Sequence, residues 1–468
     1  MNPVLRGTGI IHACVCIRFT DSVASGPVHS YSPISFLQVS NLTLARLFYS
    51  VIFYLLIPFV LLRLLKRSLK EPGYRMALSE RFGFYRSKQP GKVVWIHAVS
   101  AGETIAAVPL VRSLLGRGYV CLVTNMTPTG RERVQALLAD EVENCYVPYD
   151  LPGSIDRFLR NNKPRMLITI DTELWPNMIE GCARRGVPTL LVNGRLSSRS
   201  AKGYRRISPL ILPMLRSLSL LAVQTRHHKD RFVSLGAKAS KVHVTGSIKF
   251  DAVMAQGYVG RLNRSRRLVA GRPILLGAST HNGEEAALMA LLPALQKMMP
   301  DLLLVLAPRH THRCDQLRRA LESSGQSVVS FSDGRAVALH DEVLLVDVMG
   351  ELDAFFELAS VAFIGGSLVP VGGHNLLEAV RAGTPTVMGR HLDNIEDIAQ
   401  QFIDSQAIMI VKDGQELQQV VINLMGNVDE SNRLVAAANK VMDANQGALD
   451  RVEKLIVEII SKEASVER

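Results

Sequence analysis

Residues 365–378 read Gly–Gly–Ser–Leu–Val–Pro–Val–Gly–Gly–His–Asn–Leu–Leu–Glu. Glycines at 365, 366, 372 and 373 let backbone N–H groups approach a phosphate, and a following helix N-terminus favours its charge. The stretch follows Val361–Ile364, a short apolar run that reads as a buried strand, and enters 376–382, which reads as the start of a helix. Glu378 lies about one turn into that helix, where a carboxylate can accept ribose hydroxyls. The chemistry is that of a nucleotide or nucleotide-sugar site. An ordinary glycine-rich βα loop has the same composition, and the motif alone leaves both readings open.

Other polar residues also sit at the ends of apolar runs. His97–Ala98–Val99–Ser100–Ala101–Gly102–Glu103–Thr104 follows the first such run. Glu103 is placed to act as a general base if the site is partly dry, or simply to start a helix. Asp171–Thr172–Glu173 puts two carboxylates at another run's end, where an N-cap with an acidic first turn is the competing account. Lys249, in Gly246–Ser247–Ile248–Lys249–Phe250–Asp251, can reach a phosphate or a developing negative charge, or be a solvated surface lysine. Pro308–Arg309–His310 and Met349–Gly350–Glu351 end further runs; a guanidinium at 309 suits a phosphate or carboxylate. His281, His310, His312 and His374 are too dispersed along the chain to mark a metal site.

The elements that position these residues are α/β. Runs at 93–97, 120–124, 165–170, 189–193, 220–224 and 241–245 read as strands, with helices between them. A second series runs 273–277, 302–307, 327–331, 343–346, 361–364 and 385–388. Short apolar strands alternating with helices imply parallel sheets covered on both faces. Ligands of such sheets bind beyond the carboxyl ends of the strands, where all these residues fall. The polar, basic segment 251–272 reads as an interdomain linker, and an amphipathic pattern at 449–461 reads as a helix packing back across it.

At 468 residues, 47% hydrophobic and 21% charged, the chain is globular with room for two or three domains. A net charge of +12 suits an anionic partner. Only 6% of residues are aromatic, and no basic–aromatic interleaving points to nucleic acid. The six cysteines form no C-x-x-C pair and read as reduced.

Residues 1–41 show no periodicity and read as a disordered extension or a start codon placed too far upstream. Leu47 to Leu62 is apolar apart from Ser50 and is flanked by Arg46 and Arg63, followed by Lys66, Arg67, Lys70 and Arg75. Helical rise makes that run roughly 24 Å, short of a ~30 Å hydrocarbon core unless snorkelling arginines extend it. It reads as a membrane anchor over 42–66 with the remainder cytoplasmic, the alternative being a buried core helix.

In this order, the motifs resemble those of the 3-deoxy-D-manno-octulosonic acid (Kdo) transferases of lipopolysaccharide synthesis. The matching residues include Glu80–Arg81–Phe82–Gly83–Phe84–Tyr85, the 97–104 block, Thr124–Asn125–Met126–Thr127–Pro128–Thr129–Gly130 and Thr172–Glu173–Leu174–Trp175–Pro176–Asn177. They continue through Asn193–Gly194–Arg195, Thr245 to Asp251, Ala307 to His310, Met349 to Leu352 and 365–378. The likeness runs from about residue 42 to 450.

It implies an inverting GT-B glycosyltransferase: two Rossmann-like domains, 67–255 for the acceptor and 270–445 for the donor, facing a cleft. An N-terminal membrane-anchor helix would hold it on the cytoplasmic face of the inner membrane, and 446–468 would form a C-terminal helix. The implied donor is CMP-Kdo and the implied acceptor the lipid A precursor (lipid IVA), with no metal, no cofactor and no nucleic acid. Carried over residue by residue, Glu103 is the general base, and Asp171 and Lys249 stabilise the transition state. Pro308, Arg309, Met349, Gly350, Glu351, Asn375, Leu376, Leu377 and Glu378 hold CMP. Arg195 and Arg199 are candidates for the acceptor's phosphates, or part of a solvated face. The chain departs from the family in having Asp171 for the usual Glu and Leu376 for the usual proline. The alternatives are a GT-B transferase using another nucleotide sugar, and a catalytically degenerate membrane-bound binding protein.

Overall fold

The computed structural model describes residues 34–69, 71–251 and 257–466, with side chains from 44 to 461 within those spans. The reading of the N-terminal extension lies outside them as far as residue 33. A helix is already under way at Ile34, upstream of the expected anchor, because 34–43 contains neither Gly nor Pro to stop it.

Two seven-stranded sheets, parallel throughout, follow one another. The first holds β1 (Val93–His97), β2 (Val120–Asn125), β3 (Glu143–Tyr146), β4 (Met166–Ile170), β5 (Thr189–Gly194), β6 (Leu220–Val223) and β7 (Val242–Val244). Its order is β3-β2-β1-β4-β5-β6-β7. The second holds β8 (Ile274–Thr280), β9 (Leu303–Pro308), β10 (Val328–Ser330), β11 (Val343–Leu345), β12 (Val361–Ile364), β13 (Thr386–Gly389) and β14 (Met409–Val411). Its order is β10-β11-β9-β8-β12-β13-β14. These are the two parallel α/β domains that the strand spacing leads one to expect, in the GT-B class that the resemblance implies.

Strands β3 and β14 are missing from the runs read as strands above, although β14 lies in an unbroken apolar run at 407–411. Both are edge strands and only partly buried. β3 contains Glu143 and Asn144, and β14 is three residues long. In each sheet the order reverses at its first strand, between β1 and β4 and between β8 and β12. These are the switch points at which open α/β sheets bind ligands.

Most of the segment read as a linker is helical. Tyr258–Val269 buries Leu268 and Val269 in the second domain's core, and its Arg261 pairs with Asp353. The C-terminal helix Ala448–Val466 returns to the first domain, where Ala448, Val452 and Ile456 share a core with Val94, Ala106 and Leu110. Asp251 fixes the crossing: its carboxylate accepts the N–H groups of Gly447 and Leu449, both at 2.7 Å.

Leu44–Ser68 is long and apolar enough to cross a membrane. One side of it lies along the first domain. Ser50 and Phe53 are buried, Asn177 donates to the Ser50 hydroxyl at 3.1 Å, and Arg46 pairs with Glu180 at 2.6 Å. Its other side leaves Phe48, Leu55, Phe59 and Leu62 more than half exposed. A core helix would not leave that face open.

Candidate active site

Glu103 stands at the first domain's switch point, on the opening turn of the helix Ala101–Gly116. Its carboxylate accepts the Val99 N–H at 2.7 Å and the Ser100 hydroxyl at 3.0 Å, and the Ser100 hydroxyl caps the Glu103 N–H. The residue therefore closes a capping turn beyond the carboxyl end of β1. Burial raises its pKa to about 8, helped by the negative charges of Glu173 and Asp171. Burial likewise raises Glu173 to about 7, although the Trp175 indole N–H donates to it. Trp175 packs edge-on against buried His97, which burial holds neutral with a pKa of about 4.

Asp171 directly follows β4 across the switch point, in a left-handed conformation (φ +60°) that Asp tolerates better than most residues. One carboxylate oxygen accepts from the Asn193 amide at 2.5 Å. The other lies 3.9 Å from both the Lys249 ammonium and the Arg195 guanidinium. Asn193, itself left-handed and fully buried on β5, uses its side-chain Oδ1 to accept the Ile248 N–H at 3.3 Å. One amide thus ties Asp171 to the turn Ile248–Asp251 that carries Lys249. Sequence reading quoted Asn193 in a motif and gave it no role. Arg199 lies apart, exposed on the basic helix Ser198–Arg206.

In the second domain Pro308 ends β9 and Arg309 follows it, half-buried beside the β8 end through its N–H to the Thr280 carbonyl. Glu378 accepts from Asn375 at 3.0 Å. Burial pushes its carboxyl up, while that bond and the Arg381 and Arg133 guanidiniums pull it partly back. Leu376 and Leu377 bury their side chains in the core, so only their backbone can meet a ligand. Met349 is exposed, Gly350 is left-handed, and Glu351 pairs with Arg264 while its second oxygen is buried without a partner.

Two expectations change here. The N–H groups of Gly366, Ser367 and Leu368 are not open to a phosphate, because the buried Glu284 carboxylate accepts all three at 2.8–3.1 Å. The four histidines, scattered in sequence, come together where β8, β9 and β12 end. His281 and His374 hydrogen-bond at 2.8 Å, His310 packs on His281, and His312 stacks on His310. Among the described residues no cluster of three or more His, Cys, Asp or Glu side chains is arranged to hold a metal.

The two halves meet across the cleft. Arg381 of the second domain donates to the Lys249 carbonyl at 3.4 Å. Arg133, on the first domain's helix Pro128–Leu138, acts on the second: after burial, its charge is the next cause that lowers the Arg309 pKa. Arg133 was not foreseen as a site residue, since only the docked domains bring it there.

A family model described as 3-deoxy-D-manno-octulosonic-acid transferase (kdotransferase) matches residues 76–252. The 3-deoxy-D-manno-octulosonic acid transferase of Haemophilus influenzae is 37% identical over 88% of this chain and 98% of its own length. The chain belongs to the 3-deoxy-D-manno-octulosonic acid transferase family. A second member of that name, from Bordetella pertussis, is 33% identical over 84% of the chain and 94% of its own length. In fold, this family member resembles the UDP-GlcNAc 2-epimerase of Neisseria meningitidis bound to UDP-GlcNAc. The TM-score is 0.56 at 14% identity, covering 78% of this chain and 99% of that one.

Proposed function

We propose that the chain is an inverting glycosyltransferase that moves Kdo from CMP-Kdo to the lipid A precursor in lipopolysaccharide biosynthesis. The observation that carries this is the convergence of Glu103, Asp171 and Lys249 at one switch point, opposite Arg309 and Glu378 at the other. Glu103 in its ionised form takes the proton from the acceptor hydroxyl as that oxygen attacks the anomeric carbon of Kdo. The bond from that carbon to the CMP phosphate breaks on the opposite side, and CMP leaves with the electron pair. Lys249, beside Asp171, stabilises the charge that develops, and Asp171 holds that ammonium in place. Arg309 and the turn Met349–Gly350–Glu351 serve the CMP phosphate and base, and Asn375 and Glu378 the ribose.

Arg195 and Arg199 serve the acceptor's phosphates. The apolar helix would seat the enzyme on the cytoplasmic face of the inner membrane. Its domain-facing side favours a helix lying along the protein at the lipid surface over one standing clear of it.

The test is incubation of detergent-solubilised protein with CMP-Kdo and tetra-acylated lipid A precursor, read by mass spectrometry. Kdo addition is expected, with its number given by the mass increment. Glu103→Ala should abolish it and Asp171→Asn should lower it. No addition by folded wild-type protein would overturn this substrate pair, and competition by UDP rather than CMP would point to another nucleotide sugar.

A further inference from the structure

We infer that Glu284 is a positioning residue for the nucleotide half of the site: its carboxylate occupies the anion nest of the glycine loop and so sets Asn375 and Glu378 for the donor. This rests on the functional reading above. Glu284 is fully buried, and among the described residues no lysine or arginine pairs with it. Four backbone N–H groups meet its charge instead: His281 at 2.9 Å, Gly366 at 2.8 Å, Ser367 at 3.1 Å and Leu368 at 3.0 Å. Consecutive amides converging on one anion form a nest, the arrangement that elsewhere holds phosphate. Gly366 takes the φ of +69° that this turn needs.

The loop is held close. A Cβ on Gly365 would lie 2.4 Å from the Ser279 carbonyl oxygen. Gly372 and Gly373 donate to the Gly366 carbonyl, and His374 donates to that of Gly365. The first glycine pair thereby fixes the second, and the second leads directly into Asn375. Glu284 joins the β8 end to this whole segment across the switch point. With the nest filled from within, the phosphate charge of the donor falls to side chains such as Arg309.

The test uses the full-length protein in detergent, with CMP as the probe. Glu284→Gly empties the nest, and Glu284→Gln keeps the shape while removing the charge. Charge-assisted hydrogen bonds of this kind predict a CMP affinity lower by roughly ten- to hundred-fold in both variants. The acceptor KM should stay within about two-fold, since the loop lies in the other domain. Formate, which fits the emptied nest, should restore both the Tm and the CMP affinity of Glu284→Gly, and chloride should not.

A folded variant that binds CMP like the wild type would overturn the inference. So would formate that raises the Tm but leaves CMP affinity low, which would make Glu284 a scaffold residue only. Where Glu284→Gly does not fold, Glu284→Gln decides: reduced CMP affinity with an unchanged acceptor KM supports the role, and wild-type affinity overturns it. Wild-type protein is assayed alongside. If it binds CMP but transfers no Kdo, the functional reading fails while the comparison of CMP affinities still decides Glu284.

Discussion

Replacing Glu103 by glutamine removes a titration and keeps the shape. The amide oxygen can still accept from Val99, and the amide nitrogen can donate to Ser100. In the folded protein the Glu103 carboxyl titrates near 8, against an ordinary value of 4.5. The folded state therefore binds this proton more tightly than the unfolded chain does. Stability from this source is full below pH 4.5 and falls as the pH rises towards 8. Linkage puts the loss between pH 5 and pH 8 at about 3 kcal/mol for the wild type, and at none for Glu103→Gln.

The difference between the two proteins cancels the groups that do not interact with Glu103; Glu173 and Asp171, whose charges help raise it, respond to the substitution as well. Both tryptophans, Trp95 and Trp175, lie in the first domain, so their fluorescence follows that domain's unfolding in urea. Glu103→Gln should match the wild type near pH 5 and exceed it at pH 8. Activity runs the other way, because only the ionised carboxylate accepts a proton: kcat/KM of the wild type should rise through about pH 8. Urea curves whose separation is independent of pH would refute the reasoning.

Asn193→Ala should lower kcat by roughly ten- to hundred-fold while leaving the donor KM nearly unchanged, because it frees Asp171 and the Lys249 turn and touches no donor residue; steady-state kinetics with an unchanged kcat would refute the tie. Arg272 is buried and donates to the carbonyls of Asp301, Leu302, Ala338 and Asp341. Arg272→Met should cost the second domain on the order of 3–5 kcal/mol, seen as faster amide exchange in β9 and β11, and unaltered exchange would contradict it.

Much of this was legible in the chain itself. Apolar runs of strand length gave the α/β class, because a parallel sheet buries both faces and leaves continuous hydrophobic segments. Asp171 and Arg309 were findable because each directly follows such a run, and Glu103 and Lys249 because each lies within a few residues of one, at the strand ends where these sheets bind. Edge strand β3 escaped because Glu143 and Asn144 break its apolar signal, whereas β14 lies in the apolar run 407–411 and was there to be read. Tertiary structure alone decided what those residues meet. Glu284 reaches a loop 82 residues away, His281 pairs with His374 across 93, and Arg133 acts on Arg309 only through the apposition of two domains. Local periodicity records which face of an element is buried. It does not record which distant backbone N–H a buried carboxylate will accept, and so the sequence marked the glycine loop as an anion site while the fold supplied that anion from within.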